Sequence, residues 1–266
     1  MTKTQLPIAV TGVASGIGAA TADLLAEAGA TLIGIDRTVP AQFKGTFIQA
    51  DLSSPAGARE AAARVAEAAP SGLRGLANIA GVPGTAPWRV VLGVNVFGLR
   101  ELTRALAPSL VEGASVVNLA SSVAFQWRGL AASCAALSLA DDVEAALDAV
   151  ADDAHATEES YLFSKQCVRF LTEQLSAELL PGRIRVNSVS PGPVQTPILE
   201  DFKNDHGREK VESAAQLLGR FAEPLDIART VAFLLSDEAG WVNGSDIRVD
   251  GGLTAYRASA AVRASV

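Results

Sequence analysis

Tyr161 and Lys165 stand four residues apart in the run Tyr161-Leu-Phe-Ser-Lys165. On a helix that spacing puts both side chains on one face. An ammonium beside a phenol lowers the phenol's pKa from about 10 toward working pH. A phenol so tuned gives or takes a proton at a substrate oxygen. Such a pair alone is ordinary on surface helices, so its neighbours matter. Ser121 and Ser122 follow the run Val116-Val-Asn-Leu-Ala120, which reads as a strand. The carboxyl edge of parallel strands is where open α/β sheets bind ligands. Asn95, in Gly93-Val-Asn-Val-Phe97, is predicted on a helix beside that edge. Asn78-Ile-Ala-Gly81 ends a fourth strand, and Pro191-Gly-Pro-Val-Gln-Thr-Pro197 follows a sixth.

A second constellation opens the chain. Thr11-Gly-Val-Ala-Ser-Gly-Ile-Gly18 lies between the first apolar run and the first helical pattern. Gly12, Gly16 and Gly18, with Ser15 and Ile17 between them, form a turn whose backbone comes close to a pyrophosphate. The phosphates then meet the free N–H groups and positive end of the helix dipole. The spacing differs from the common G-x-G-x-x-G fingerprint, so the strand before and the helix after carry the argument. Asp36 closes the second strand, where an acid accepts hydrogen bonds from the adenosine ribose hydroxyls. That position predicts NAD rather than NADP, since a 2′-phosphate would face a carboxylate. Arg37 next to it pulls the other way.

The elements that must position these residues are short β-branched runs alternating with Ala/Leu-rich amphipathic segments. Predicted strands are Pro7–Val10, Thr31–Ile35, Thr46–Ala50, Leu73–Ile79, Ser115–Leu119, Arg183–Val189 and Asp246–Val249. Predicted helices include Ile17–Ala28, Ala56–Ala68, Val90–Leu110, Tyr161–Leu179 and Pro224–Leu235. Strict alternation implies parallel strands with crossover helices. The expected fold is α/β: one doubly wound Rossmann domain over residues 1–266, with a seven-stranded parallel sheet and helices on both faces. The Ala-rich, acidic stretch around 124–159 interrupts the rhythm. Its residues 137–153 read as one extra helix with Leu139, Val143, Ala146, Leu147 and Val150 on the apolar face and a solvated acidic face.

Composition narrows the function classes. The 266 residues are 49% hydrophobic with a net charge of −7 and no Lys/Arg cluster, so neither nucleic acid nor an anionic membrane is an expected partner. No apolar run reaches the ~18 residues of a membrane span. The N-terminal residues lack the pattern of a secretory leader, which favours the cytoplasm. Two cysteines and two histidines are too few for a dedicated metal cage, and Cys134 and Cys167 read as reduced structural thiols.

Taken in order, the Gly turn, Asp36, Asp51-Leu52, Asn78-x-Ala-Gly81, Asn95, Ser122, Tyr161-x-x-x-Lys165, Pro191-Gly192 and Asp250-Gly-Gly252 resemble the short-chain dehydrogenase/reductase family over nearly the whole chain. Ile79 replaces the second Asn of the family's usual Asn-Asn-Ala-Gly run. The resemblance implies that Tyr161 is the general acid/base, and that Lys165 lowers its pKa and holds the nicotinamide ribose. It makes Ser122, heading the Ser-Val-Ala stretch, the residue that positions the carbonyl oxygen, with Asn95 holding a water in a proton relay. Asp51 and Leu52 would flank the adenine. Asn78, Ala80, Gly81, Pro191 and Gly192 would line the dinucleotide cleft, and Val194 and Thr196 would fix the carboxamide. Residues 198–216 would be a substrate lid. In this chain 39 positions separate Ser122 from Tyr161, far more than in most of the family. That insertion is similar to the bacterial 3α-hydroxysteroid dehydrogenase/carbonyl reductase branch.

The resemblance implies an NAD-dependent enzyme interconverting a secondary alcohol and a ketone on a bulky apolar substrate, steroid or aryl. Candidate pocket residues are Pro83, Trp88, Phe125, Trp127, Ile198, Leu199 and Phe202. Two alternatives stand beside it: reduction of a 3-oxoacyl thioester, and a non-catalytic dinucleotide sensor on the same fold. The chain is expected to form a homo-oligomer, dimer or tetramer.

Overall fold

The computed structural model describes residues 6–264, so the reading of the first five residues lies outside it. Seven strands form: β1 (Ile8–Thr11), β2 (Leu32–Asp36), β3 (Thr46–Gln49), β4 (Leu73–Asn78), β5 (Leu110–Leu119), β6 (Arg185–Pro191) and β7 (Asp246–Val249). They make one sheet in the order β3-β2-β1-β4-β5-β6-β7, every pairing parallel. Strand order reverses between β1 and β4, the crevice where doubly wound sheets place ligands. β5 begins at Leu110 rather than Ser115. Its register on β4 shifts between Leu73 and Gly75, and Gly113, at φ +74°, supplies the left-handed residue such an irregularity needs.

Helices cover both faces, as buried parallel strands require. On one face α1 (Gly16–Glu27) packs against α11 (Pro224–Leu235), and Leu25, Val231 and Leu234 join Ile8 and Val10 in one core. On the other face lie α2 (Pro55–Ala68), α4 (Leu99–Leu106) and the long α8 (Ser160–Leu179), where Val65, Leu102 and Phe163 meet Leu76 and Val116. Local chemistry sets the helix starts. Ser54 caps α2 by accepting from Gly57 N at 3.1 Å, with Pro55 in the first turn. Glu223 and Asp226 form a reciprocal capping box on α11.

The predicted single helix Val90–Leu110 is three pieces. α3 (Trp88–Leu92) passes into a π-helical turn (Gly93–Gly98) and then into α4. Gly93 and Gly98, one π-helical hydrogen-bond step apart, both lie against the loop after β3. A Cβ would sit 2.6 Å from Ser53 O at Gly93 and 2.2 Å from Leu52 O at Gly98. The helix can run that close only with glycine at both positions.

The insertion departs from expectation too. It forms three short helices, α5 (Ala131–Ser138), α6 (Val143–Ala149) and α7 (Ala154–Thr157). Two aspartates break the run, because each restarts a helix as its N-cap. Asp142 accepts from Ala145 N and Asp153 from His155 N. Val143, Ala146 and Leu147 are buried as predicted, whereas Leu139 is 38% exposed, since the helix has already ended there. Glu144 and Asp148 stay exposed and pair with Arg89. The chain closes with α12 (Leu253–Ala264), which gives the small-residue-rich tail a regular form. Asp250 caps its start, accepting from Gly252 N and Thr254 N at 2.9 Å each.

Candidate active site

The glycine turn connects β1 to α1 at the strand-order reversal, and its backbone shows why glycines stand there. Gly12 (φ +77°) lies against Ala80, whose N and Cα would be 3.0 Å from a Cβ. Gly18 packs on the carbonyl of Gly12, 2.0 Å from where a Cβ would be. Gly16 (φ +56°) faces the Thr196 methyl. Ser15, exposed at the N-cap of α1, makes no side-chain hydrogen bond to the first turn. The start of α1 thus carries no side-chain cap, unlike that of α2. That cradle of small residues at an uncapped helix start suits a pyrophosphate. Thr11, which sequence reasoning passed over, stitches the crevice: its Oγ1 accepts from Ile79 N and Ala80 N, both at 2.9 Å. A hydroxyl closing an otherwise apolar strand was the available signal.

Asp36 is half-buried at the end of β2. Its Oδ2 accepts from Ala14 N in the glycine turn and its Oδ1 from Thr38 N, each at 2.9 Å. The carboxylate is therefore oriented by two backbone donors and retains lone pairs for further ones. Asp51 is exposed and turns its loop by accepting from Ser53 N at 2.8 Å. Leu52 is 9% exposed, wedged under the π-helical turn.

Asn78 was expected among the dinucleotide contacts, but its side chain points the other way. It is 3% exposed, and its Nδ2 donates to Thr103 Oγ1 and Asn118 Oδ1, each at 2.9 Å. Asn118 in turn donates to Thr172 Oγ1 at 3.0 Å. This polar seam ties β4 and β5 to α4 and α8, so the Asn78 amide braces the floor of the crevice. Ala80 and Gly81 form its wall.

Tyr161 and Lys165 lie on the first turns of α8, with the Lys165 Nζ 5.6 Å from the Tyr161 ring centroid. Lys165 is 4% exposed and donates to Leu119 O at 2.8 Å. Burial lowers its pKa from 10.5 to about 8. Ser122 follows β5 at the head of a short 3-10 turn (Ser122–Ala124), half-buried, while Ser121 before it is 8% exposed. Asn95 sits in the π-helical turn, 1% exposed. Its Oδ1 accepts from Val82 N (2.9 Å), and its Nδ2 donates to Val82 O (3.1 Å) and Ser164 Oγ (3.0 Å). Its amide thereby clamps the loop after Gly81, where a Cβ would come 3.1 Å from Asn95 Oδ1 and 3.5 Å from Lys165 Nζ. Ser164 was another residue the sequence reading missed.

At the end of β6, Pro191 and Gly192 bring the chain against the Asp250 turn: a Cβ on Gly192 would meet Asp250 Cα at 2.9 Å. Val194 is 7% exposed and bridges to Ala222. Thr196 reaches the glycine turn from this side, so the two walls of the crevice touch there. The predicted lid is two helices, α9 (Leu199–His206) and α10 (Arg208–Leu218), hinged at Gly207 with φ +88°. The side chains at 205 and 206 lie outside the described residues. Phe202 crosses the Tyr161 ring edge-on at 4.8 Å, and Asp201 accepts from Thr85 Oγ1 at 2.8 Å. Two pocket candidates pack against the core beside the insertion. Trp127, 4% exposed, packs edge-on against Phe170 at 6.1 Å, and Trp88 packs on the insertion side of the core under the Arg89 guanidinium.

Among the described residues no cluster of His, Cys, Asp and Glu could hold a metal ion. No described helix is long and apolar enough to cross a membrane.

Residues 7–136 match the family profile described as short chain dehydrogenase, and residues 145–254 match one described as Enoyl-(Acyl carrier protein) reductase. The chain is 37% identical over 254 residues to a coniferyl-alcohol dehydrogenase of a Pseudomonas species, covering 95% of this chain and 98% of that one. It is 34% identical over 257 residues to the 3-alpha-hydroxysteroid dehydrogenase/carbonyl reductase of Comamonas testosteroni, covering 93% and 96%. Among solved structures, the 3-alpha-hydroxysteroid dehydrogenase of Pseudomonas sp. B-0831 complexed with NADH superposes with a TM-score of 0.81 at 36% identity, covering 94% of this chain and 98% of that one.

Proposed function

We propose that this chain, which belongs to the short-chain dehydrogenase/reductase family, is an NAD-dependent oxidoreductase acting on the alcohol or ketone of a bulky apolar, ring-bearing substrate. The observation that carries the reading is buried Lys165, packed on the Tyr161 ring and bonded to Leu119 O at the end of β5, three residues before Ser122 and on the same sheet as the glycine turn. A nicotinamide dinucleotide bound there supplies or accepts the hydride. The chain's own groups handle the proton and the geometry. The Tyr161 hydroxyl gives a proton to the substrate oxygen in reduction and takes it in oxidation. Lys165, as an ammonium, favours the ionised phenol and so brings it into working range. Ser122 hydrogen-bonds the substrate oxygen and aims it at Tyr161. Phe202, on the lid, gives an apolar ring a surface against Tyr161 and excludes water.

NAD is the proposed cofactor because Asp36, held by Ala14 N and Thr38 N, presents a carboxylate where the adenosine ribose hydroxyls would lie. An aryl or steroid alcohol is the proposed substrate because Phe202 faces the catalytic tyrosine and because two extensive relatives are named for coniferyl alcohol and for a hydroxysteroid. The thioester reading has less support: a carrier protein is acidic, and this chain carries a net charge of −7. Self-assembly in the cytoplasm is proposed as well, with the exposed rings of Phe233 and Trp241 as the supporting observation.

The test is a screen for NADH formation with steroid, aryl and amino alcohols, run in parallel with NADP. Turnover of aryl or steroid alcohols with NAD is the expected result. Binding of NADH without turnover of any alcohol would favour the sensor reading instead.

A further inference from the structure

Tyr161, Lys165 and Arg169 recur every fourth residue along α8 and so form one stripe on its surface. The first two belong to the proposed chemistry, and the third does not. Arg169 nevertheless reaches the same strand end. Its Nη1 donates to Ala124 O at 3.1 Å, as the Lys165 Nζ donates to Leu119 O at 2.8 Å. These two carbonyls bracket Ser122, so the segment that carries it is gripped at both ends by cations from one helix.

Arg169 is itself held in place. Its Nη2 lies 3.3 Å from Asp246 Oδ2, with the two side chains only 19% and 13% exposed. The other oxygen of Asp246 accepts from Ser188 Oγ at 2.6 Å and Ser190 Oγ at 2.7 Å. A chain of polar contacts therefore runs from β6 and β7, through the guanidinium, to the turn that begins at Ser122. Ala124 is fully buried. Without Arg169 its carbonyl loses that partner, and an unpaired buried acceptor is costly enough to move the backbone. The turn is short, closed by Ala124 N donating to Ser121 O at 3.0 Å, so any shift at Ala124 passes to Ser122. The Arg169 Nε finds no partner among the described residues. The two Nη contacts alone fix the guanidinium, at the expense of a buried donor.

We propose that Arg169, anchored by Asp246, is a positioning residue that sets the place of Ser122 for the substrate oxygen. The inference rests on the role given to Ser122 above. A merely structural pin between α8 and β7 would leave the Ser122 turn ordered and would act independently of Ser122, which the following measurements separate.

Amide hydrogen exchange is measured on the full-length protein saturated with NADH, for wild type, Arg169→Met, Arg169→Lys and Asp246→Asn. Exchange of residues 121–126 should rise about fivefold or more in Arg169→Met and less in Arg169→Lys, with the central amides of β5 unchanged. Asp246→Asn keeps the shape of the side chain and should loosen the same amides, which covers a failure of Arg169→Met to fold. Unchanged exchange at 121–126 in the folded variants overturns the proposal. The kinetic arm uses coniferyl alcohol and NAD as the probe pair. Arg169→Met should lower kcat about tenfold with NADH affinity held within about threefold, and should lower it less than about twofold further in a Ser122→Ala background. Full additivity of the two changes also overturns the proposal. If Ser122→Ala turns over like the wild type, the role of Ser122 is what fails, and the exchange data still decide whether Arg169 orders the turn.

Discussion

At Lys165 burial and catalysis make opposite demands on one ammonium. Desolvation brings its pKa from 10.5 to about 8, while the chemistry proposed for Tyr161 needs the charge. Between those two values the unfolded chain carries the proton and the folded chain has released it. Unfolding then takes up a proton, and stability rises with pH across the window. The gain amounts to at most about 3 kcal/mol. It starts near pH 8 and is complete near the ordinary lysine value. Lys165→Met removes this titration. Urea unfolding of both proteins at about pH 7 and about pH 10 should therefore show wild type gaining on the variant as pH rises; no relative gain would mean the ammonium is better solvated than its burial implies. Tyr161 gives the complementary prediction. Tyr161→Phe removes the hydroxyl but keeps the ring that Phe202 packs against, so the lid contact survives. Turnover should fall about 100-fold or more, the usual worth of a general acid/base. NADH affinity, titrated by fluorescence, should stay within about twofold. Turnover within about tenfold of wild type would remove Tyr161 from the proton transfer.

Among the elements, the insertion shows what local pattern does and does not reveal. Its apolar positions Val143, Ala146 and Leu147 were legible because helical spacing marks a buried face. Its breaks were not, because Asp142 and Asp153 act through caps that look, in sequence, like two more acids on a polar face. The π-helical turn was hidden for a similar reason. Gly93 and Gly98 sit inside a run with ordinary helical periodicity, and only the backbone of Leu52 and Ser53 pressing on them demands the extra residue per turn. Six of the seven strands lie close to prediction because burial on both faces forces nearly continuous apolar runs, and α1, α2, α8 and α11 because their apolar residues recur at helical spacing, whereas β5 starts five residues early. Arg100 carries no motif in the sequence, yet on α4 it is 2% exposed and donates to Ser138 O at 2.8 Å and Ala140 O at 2.7 Å. It thereby caps the end of α5 and fastens the insertion to the helix that carries Asn95. Arg100→Met should cost about 3 kcal/mol, the scale of breaking a buried charged contact. Hydrogen exchange should quicken across 131–149 while NADH affinity is kept, because no dinucleotide motif lies in the insertion. Stability equal to wild type in urea would show that α5 ends without needing the guanidinium.

At the scale of the whole molecule, two apolar cores share one sheet, and the crevice is built where that sheet reverses its order. Thr11 and Asn78 tie the loops of this crevice to β1, β4 and β5, and Asp36 ties the glycine turn to β2. A ligand seated there would touch loops tied to several strands, so its binding energy should stabilise the fold as a unit. Far-ultraviolet and aromatic probes of urea unfolding should then move together when NADH is added. At a hundredfold excess over Kd the shift should be about 2.7 kcal/mol. The same measurement reads cofactor choice without any substrate. NADPH brings a 2′-phosphate of charge near −2 toward the Asp36 carboxylate and removes one donor that could pair with it. No basic residue occupies Val13, Ala14 or Ser15 to offset that charge, and Arg37 beside Asp36 is exposed. At equal concentrations NADPH should therefore stabilise wild type less than NADH by at least about 1.4 kcal/mol, a tenfold difference in affinity. In Asp36→Ala the margin should largely vanish, for Arg37 is then free to meet the phosphate. The variant should also lose some stability without ligand, because Ala14 N and Thr38 N lose their acceptor. Equal stabilisation of wild type by both dinucleotides would show that the two backbone donors consume the Asp36 carboxylate, and that cofactor choice is made elsewhere in the cleft.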